Sequence, residues 1–261
     1  MRNTIKFKNA CETVTENRSG RDTIGRLQEK TLHAVLKKYL VADESFHEIK
    51  IDKYFADAIQ PETGEIFEVQ TRSFDRLRDK LDFFLREHTV TVVYPIARNK
   101  WLIWIDEETG EIASKKRKSP KTGIPQDIFP ELYKIKPYLT NSNIRIRIML
   151  LDIIEYRLLN GWSDDKKKGS SRYERIPTGL AEEIEINCTD DYRKLLPQNL
   201  PDEFTSDDFR AALKHTSNKI TQCGLNILHH TGIIIRTGKN GRRYTYRINT
   251  PGSDKKNEAH S

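Results

Sequence analysis

Apolar residues recur at helical spacing over residues 24–40. There Ile24, Leu27, Leu32, Val35, Leu36 and Tyr39 mark one face of IGRLQEKTLHAVLKKYL and predict an amphipathic helix. HEIKID, YFADAIQ and EIFEVQT follow as three short strand patterns, the last two joined by the turn PETG. Ser73 is placed to cap a second helix carrying Phe74, Leu77, Leu81, Phe84 and Leu85. TVTVVYPI is apolar without alternation, as expected of a strand covered on both faces. WLIWID and IRIRIMLLDIIEYRLL supply further strand, or strand running into helix.

The pattern lapses in three places. The first twenty residues are polar and read as aperiodic, Gly, Ser and charges replace apolar residues over 161–175, and the stretch after Pro251 is too polar to fold. Beyond the middle lapse, FTSDDFRAALKH, TSNKITQCGLNILHHTG and IIIRTGKNGRRYTYRI read as helix, helix and a hairpin turning at Asn240-Gly241. The expected layout is therefore a loose N-terminus (1–20), an α/β domain (21–160), a linker (161–178), a small α+β domain (179–250) and a disordered tail (251–261).

Composition narrows the classes. With 261 residues, 36% hydrophobic and 32% charged, the chain can build a core, which excludes a purely polar or acidic disordered protein. Lys and Arg total 45 against 38 Asp and Glu, a net +7, so polyanions are plausible partners. Cys11, Cys188 and Cys223 lie far apart in no metal-ligand spacing, which argues against a disulfide framework or structural zinc and for a reducing compartment. No apolar run approaches the ~20 residues of a membrane helix, and the first residues lack an apolar signal core, so a cytosolic protein without membrane association is expected.

The pentapeptide ETGEI occurs at 62–66 and 108–112, each time after an apolar strand pattern, and Thr-Gly is chemistry that hairpin turns demand. The second copy serves as a control. Flanking positions that are Asp57 and Glu68 around the first copy are Ile103 and Ser114 around the second, so the turn itself does not require carboxylates. A four-residue loop PETG sets Asp57 across from Glu68, while a two-residue loop Thr63-Gly64 sets it across from Gln70. Either register gathers Asp57, Glu68 and Gln70 on one face. Facing carboxylates repel unless a proton or cation lies between them, and an oxygen-rich pair suits Mg²⁺ or Mn²⁺.

Helix, three-stranded meander, helix and strand, with Asp57 on the second strand and Glu68-Val69-Gln70 on the third, resembles the PD-(D/E)XK, restriction-endonuclease-like nuclease superfamily over roughly residues 24–96. The resemblance implies a mixed sheet flanked by helices. Asp57, Glu68 and the Val69 carbonyl would hold the metal, Gln70 would complete the motif, and Glu29 on the first helix would orient or extend the site. It implies hydrolysis of a phosphodiester by metal-activated water, with Asp57, Glu68, Gln70 and Glu29 as the catalytic set. Ala56 stands where the motif name has Pro, and Gln70 where it has Lys; a glutamine can hydrogen-bond but supplies no charge. A non-enzymatic DNA-binding or regulatory protein on the same fold is the alternative.

Nucleic-acid contacts have further candidates. Arg72 follows Gln70, and Lys115, Lys116, Arg117 and Lys118 form a basic loop. Trp101 and Trp104, three apart on one strand pattern, read as core residues, and His33 shares the helix face of Glu29. The C-terminal helices and hairpin resemble a winged-helix domain, which implies DNA engagement by the second helix and the wing. Along that helix Ile220, Cys223, Gly224, Ile227 and Leu228 form the expected apolar stripe, leaving Lys219, Gln222 and Asn226 for base edges, while Lys239, Arg242 and Arg243 cluster at the wing tip. DNA is the expected partner, and cutting both strands would call for a homodimer.

Overall fold

The computed structural model describes residues 2–19, 31–159, 171–214 and 217–250. In chain order the elements are α1 (Arg2–Ser19), α2 (Thr31–Leu40), β1 (His47–Ile51), β2 (Tyr54–Ile59), β3 (Ile66–Val69), α3 (Arg78–Phe84), β4 (Val90–Ile105) and β5 (Arg117–Lys118). Then come α4 (Phe129–Lys134), β6 (Ile144–Leu158), β7 (Ser171–Ile186), β8 (Glu203–Phe204), α5 (Ser206–Ala212), α6 (Asn218–His230), β9 (Ile234–Asn240) and β10 (Arg243–Ile248). A seven-stranded sheet runs β1-β2-β3-β4-β6-β7, with β5 added to β4. β1 to β3 pair antiparallel and β3 pairs parallel with β4, so the sheet is mixed.

Two compact units share the chain: residues 1–71, 88–124 and 147–184 in the first, and 72–87, 125–146 and 185–261 in the second. Residues 72–87 and 125–146, expected within the first domain, thus belong with the C-terminal helices. In the first unit, α1 and α2 cover one sheet face through Phe7, Ala10, Val14, Leu32, Val35 and Leu36, packed on Ala58, Phe67, Val69, Val93, Met149 and Leu151. The loose N-terminus expected at 1–20 is therefore wrong for residues 2–19. Phe7, Ala10, Cys11 and Val14 form a sparse helical stripe diluted by polar neighbours, and Phe7 meets Tyr39 edge-on at 5.4 Å. Burial pushes the Cys11 thiol up to about 12.

Three further differences have simple causes. TVTVVYPI and WLIWID are one strand, the intervening ARNK staying extended with neither Gly nor Pro to turn it. IRIRIMLLDIIEYRL stays a strand throughout, opened by Ile144, Ile146 and Ile148 in alternation with Arg145 and Arg147. Residues 171–178 of the expected linker form the first half of β7, while 160–170 and 251–261 lie outside the described residues.

In the second unit a small sheet, β8-β10-β9, packs Phe204 between Phe209 and Tyr246 at 6.3 and 6.0 Å. Thr205 and Asp208 form a capping box at α5, and Ser217 caps α6. The buried stripe of α6 is Thr221, Gly224, Leu225, Ile227 and Leu228, rotated slightly from the expected one, with Ile220 and Cys223 half-buried. Gly224 admits Phe129 of α4: a Cβ there would sit 2.8 Å from two of its ring carbons. Asn240 pairs with Arg243, leaving Gly241 and Arg242 as the hairpin loop, one residue on from the expected turn.

Candidate functional site

Both ETGE turns adopt the same four-residue loop. Gln60 N–H donates to Glu65 O at 2.9 Å and Gly64 N–H to Gln60 O at 2.9 Å. The second copy repeats this between Asp106 and Glu111, with Gly64 and Gly110 both at positive φ. Ala58 pairs with Phe67 and Ile59 with Ile66, so the next position outward sets Asp57 across from Glu68. Backbone pairing of β2 with β3 stops there. The Val69 N–H that would continue the ladder instead donates to Asp57 Oδ2 at 2.7 Å, so a carboxylate fills the fork where the strands part. At the control hairpin Ile103 is buried apolar surface and Ser114 Oγ accepts from Trp104 N–H.

His33 Nε2, on α2, lies 3.2 Å from the same Asp57 oxygen. An ionised carboxylate only accepts, so the proton of this bond sits on Nε2. Asp57 is 9% exposed and Glu68 fully buried. His47 pairs with Ala58 and Ile49 with Ala56, so Glu48, Asp57 and Glu68 form one row across three strands. Helix α2 lays basic groups along that row at i, i+4 spacing: His33 reaches Asp57 and Lys37 reaches Glu48 at 2.6 Å. These pairings offset the like-charge repulsion that adjacent acids would otherwise impose.

Gln70, half-buried, continues β3 by donating its N–H to Val93 O. The next residue, Thr71, accepts at its carbonyl from Arg175 Nη2 of β7 at 3.3 Å, and Glu174 Oε1 accepts the Thr31 N–H that opens α2. Segments carrying Asp57, Gln70, His33 and Arg175 are thereby tied together. Glu29 lies outside the described residues. Among the described residues no three His, Cys, Asp or Glu side chains group to hold a metal ion. A cation at the fork would therefore take two carboxylates, the Val69 carbonyl and water. That donor set fits Mg²⁺, which keeps several waters, better than zinc, which asks for three or four protein ligands.

The comparisons with known proteins bear on the same region. The model of a family described as Domain of unknown function (DUF8091) matches residues 30–187, more than half of the chain. The chain belongs to the DUF8091 family. The DUF8091 match takes in α2 through β7, and so includes His33, Asp57, Glu68, Gln70 and Arg175. A protein of Treponema pallidum (strain Nichols), described as uncharacterized, is 28% identical over 240 residues, covering 89% of this chain and 90% of its own. No solved structure matches the chain.

Within the DUF8091 region, Lys115 to Lys118 are exposed, and Lys118 pairs with Trp101 across β5 and β4. Trp101 and Trp104 are half-buried rather than core: Lys116 and Lys118 lie 5.0 and 5.8 Å over the Trp101 ring, and Arg157 lies 5.9 Å over Trp104. Sequence reasoning missed Lys37, Lys100, Glu155, Arg157, Arg172 and Arg175. Only Lys37 carried a signal, as a lysine one turn from His33 toward the apolar side of the helix.

In the second unit Arg72 is exposed. Lys219 and Gln222 are exposed on α6, but Asn226 is half-buried with its Oδ1 accepting from Lys136 at 3.1 Å. On the β9–β10 hairpin Lys239, Arg242 and Arg243 are exposed, and Arg243 pairs with Asp207 at 2.6 Å. Arg236 and Lys239 lie 4.2 and 5.1 Å over Tyr244. Among the described residues no helix is long and apolar enough to cross a membrane.

Proposed function

We propose that the protein is a metal-dependent DNA endonuclease of restriction-endonuclease-like fold, with a winged helix at its C-terminus for DNA engagement. The observation that carries this reading is Asp57 at the β2–β3 fork, across from Glu68, its Oδ2 fixed by Val69 N–H and His33. Oδ1 is thereby left for a cation. Bound Mg²⁺ or Mn²⁺ would supply an activated water and charge neutralisation at the scissile phosphate. Asp57 and Glu68 would hold it, and His33 would fix the orientation of the Asp57 carboxylate. Gln70 would orient water or a phosphate oxygen, and the Arg175 guanidinium would supply the positive charge that Gln70 cannot. Three free cysteines support a reducing, cytoplasmic setting.

The second reading, a DNA-binding or regulatory protein without turnover, draws on the complete burial of Glu68 together with Gln70 in place of lysine. Incubation of supercoiled plasmid with purified protein separates the two. Nicking that requires Mg²⁺ or Mn²⁺ and stops with chelator supports the nuclease. Intact plasmid under every metal, with DNA retained in a gel shift, supports the binder.

A further inference from the structure

Away from the Asp57 fork, Glu155 of β6 is a buried carboxylate with side-chain exposure of 2%, ringed by three cations. Arg157 Nη2 lies 2.6 Å from Oε1, and Lys100 Nζ and Arg172 Nε each lie 3.5 Å from Oε2. Burial alone would raise the Glu155 carboxyl, but Lys100, Arg157 and Arg172 together hold it below its ordinary range, so it stays ionised. Three positive charges around one negative leave a local excess of two. The excess is not self-satisfied: burial pulls the Lys100 ammonium down, and the like charges of Arg157 and Arg172 add to that pull.

The cations also reach solvent, Arg172 being 43% exposed, Lys100 25% and Arg157 19%. Lys100 and Trp104, four apart on β4, share a face, and Trp104 carries Arg157 over its ring. A buried acid that fixes the geometry of several half-exposed cations, beside an aromatic ring, presents a preorganised seat for an anion.

We propose that Lys100, Arg157 and Arg172, held about Glu155, bind the phosphodiester backbone of a nucleic acid. This rests on the nucleic-acid half of the reading above and not on cleavage. Backbone contacts by cations release counterions, so each contributes about 0.9 to the slope of log affinity against log salt on duplex DNA and about 0.7 on a single strand.

The test titrates the full chain, in chelator so that no strand is cut, with a short duplex and with a single-stranded oligonucleotide over a salt series. Arg172→Gln should flatten the duplex slope by about 0.9, and Lys100→Gln with Arg172→Gln by roughly 1.8. Arg172→Lys should restore the single-variant loss, which separates charge from packing. Unchanged slope in a folded Arg172→Gln and in the double variant overturns the proposal, as does a slope lost equally in Arg172→Lys. Metal-dependent nicking in the plasmid assay together with an unchanged slope overturns this site alone, whereas a flattened slope with plasmid left intact under every metal keeps the site and removes the nuclease. Wild-type protein that binds neither oligonucleotide removes both.

Discussion

Gly224→Ala is a severe test of how α6 is seated, because two effects of opposite sign act at one atom. Gly224 lies inside a thirteen-residue helix, where alanine is favoured over glycine by about 0.8–1.0 kcal/mol. The added Cβ, however, would stand 2.8 Å from Phe129 Cδ2 and Cε2 and 3.2 Å from Phe209 Cε1. Both rings are fully buried, so neither can swing into solvent to make room. Overpacking a well-filled core costs roughly 1–3 kcal/mol, and contacts under 3.0 Å to two atoms of one rigid ring place this case in the upper part of that range. The net expectation is a loss of about 1–2 kcal/mol. Urea unfolding followed by circular dichroism should show a lower midpoint, and the thermal midpoint should fall by roughly 2–8 °C. Phe129→Leu in the Gly224→Ala background should lose less than the two single changes summed, since the smaller side chain relieves the clash. A raised midpoint for Gly224→Ala, by the propensity gain alone, would refute the packing described.

Two other outcomes follow from the charges. Arg243 is already neutralised by Asp207, so Lys239→Ala with Arg242→Ala should flatten the salt dependence of duplex binding by about 1.8, while Arg243→Ala adds little; an equal contribution from all three would contradict that pairing. Glu155 has its carboxyl held below the ordinary value of 4.5, so its contribution to stability is present above that pH and is lost as pH falls through the lower folded value. Urea unfolding across acid pH should show wild-type protein converging on Glu155→Gln as the carboxyl protonates; parallel curves would sink the idea.

The shared face of the acidic pair was legible from strand parity, which gathers Asp57, Glu68 and Gln70 on one side for either a four-residue or a two-residue loop. That the loop has four residues, setting Asp57 across from Glu68, came only from the structure. What Asp57 does there was not legible. The parting of β2 from β3 hands the Val69 N–H to a carboxylate, and no residue in YFADAIQ announces it. The same holds for Glu155: on paper it is one of five charged residues on β6, with Arg157 two positions on, and only the convergence of β4, β6 and β7 brings Lys100 and Arg172 to it. Helix α1 was missed for the opposite reason. Its stripe of Phe7, Ala10, Cys11 and Val14 is correctly spaced, but with so few apolar positions tertiary packing decides what propensity alone leaves open. Residues 171–178 read as linker because they continue the Gly-, Ser- and charge-rich run of 161–175, yet the strand they build is half-exposed and tolerates polar side chains.

The central claim, that Asp57 works as a metal-holding carboxylate and is not merely a strut of the fork, is tested most directly by Asp57→Asn. Asparagine can still accept the Val69 N–H through its side-chain oxygen, so the fold is kept while the charge is lost. Measured side by side with wild-type protein, Asp57→Asn should bind duplex DNA with nearly unchanged affinity, because the basic surfaces are intact, and should fail to nick plasmid in Mg²⁺ or Mn²⁺. Folded Asp57→Asn that nicks plasmid at the wild-type rate would contradict the account.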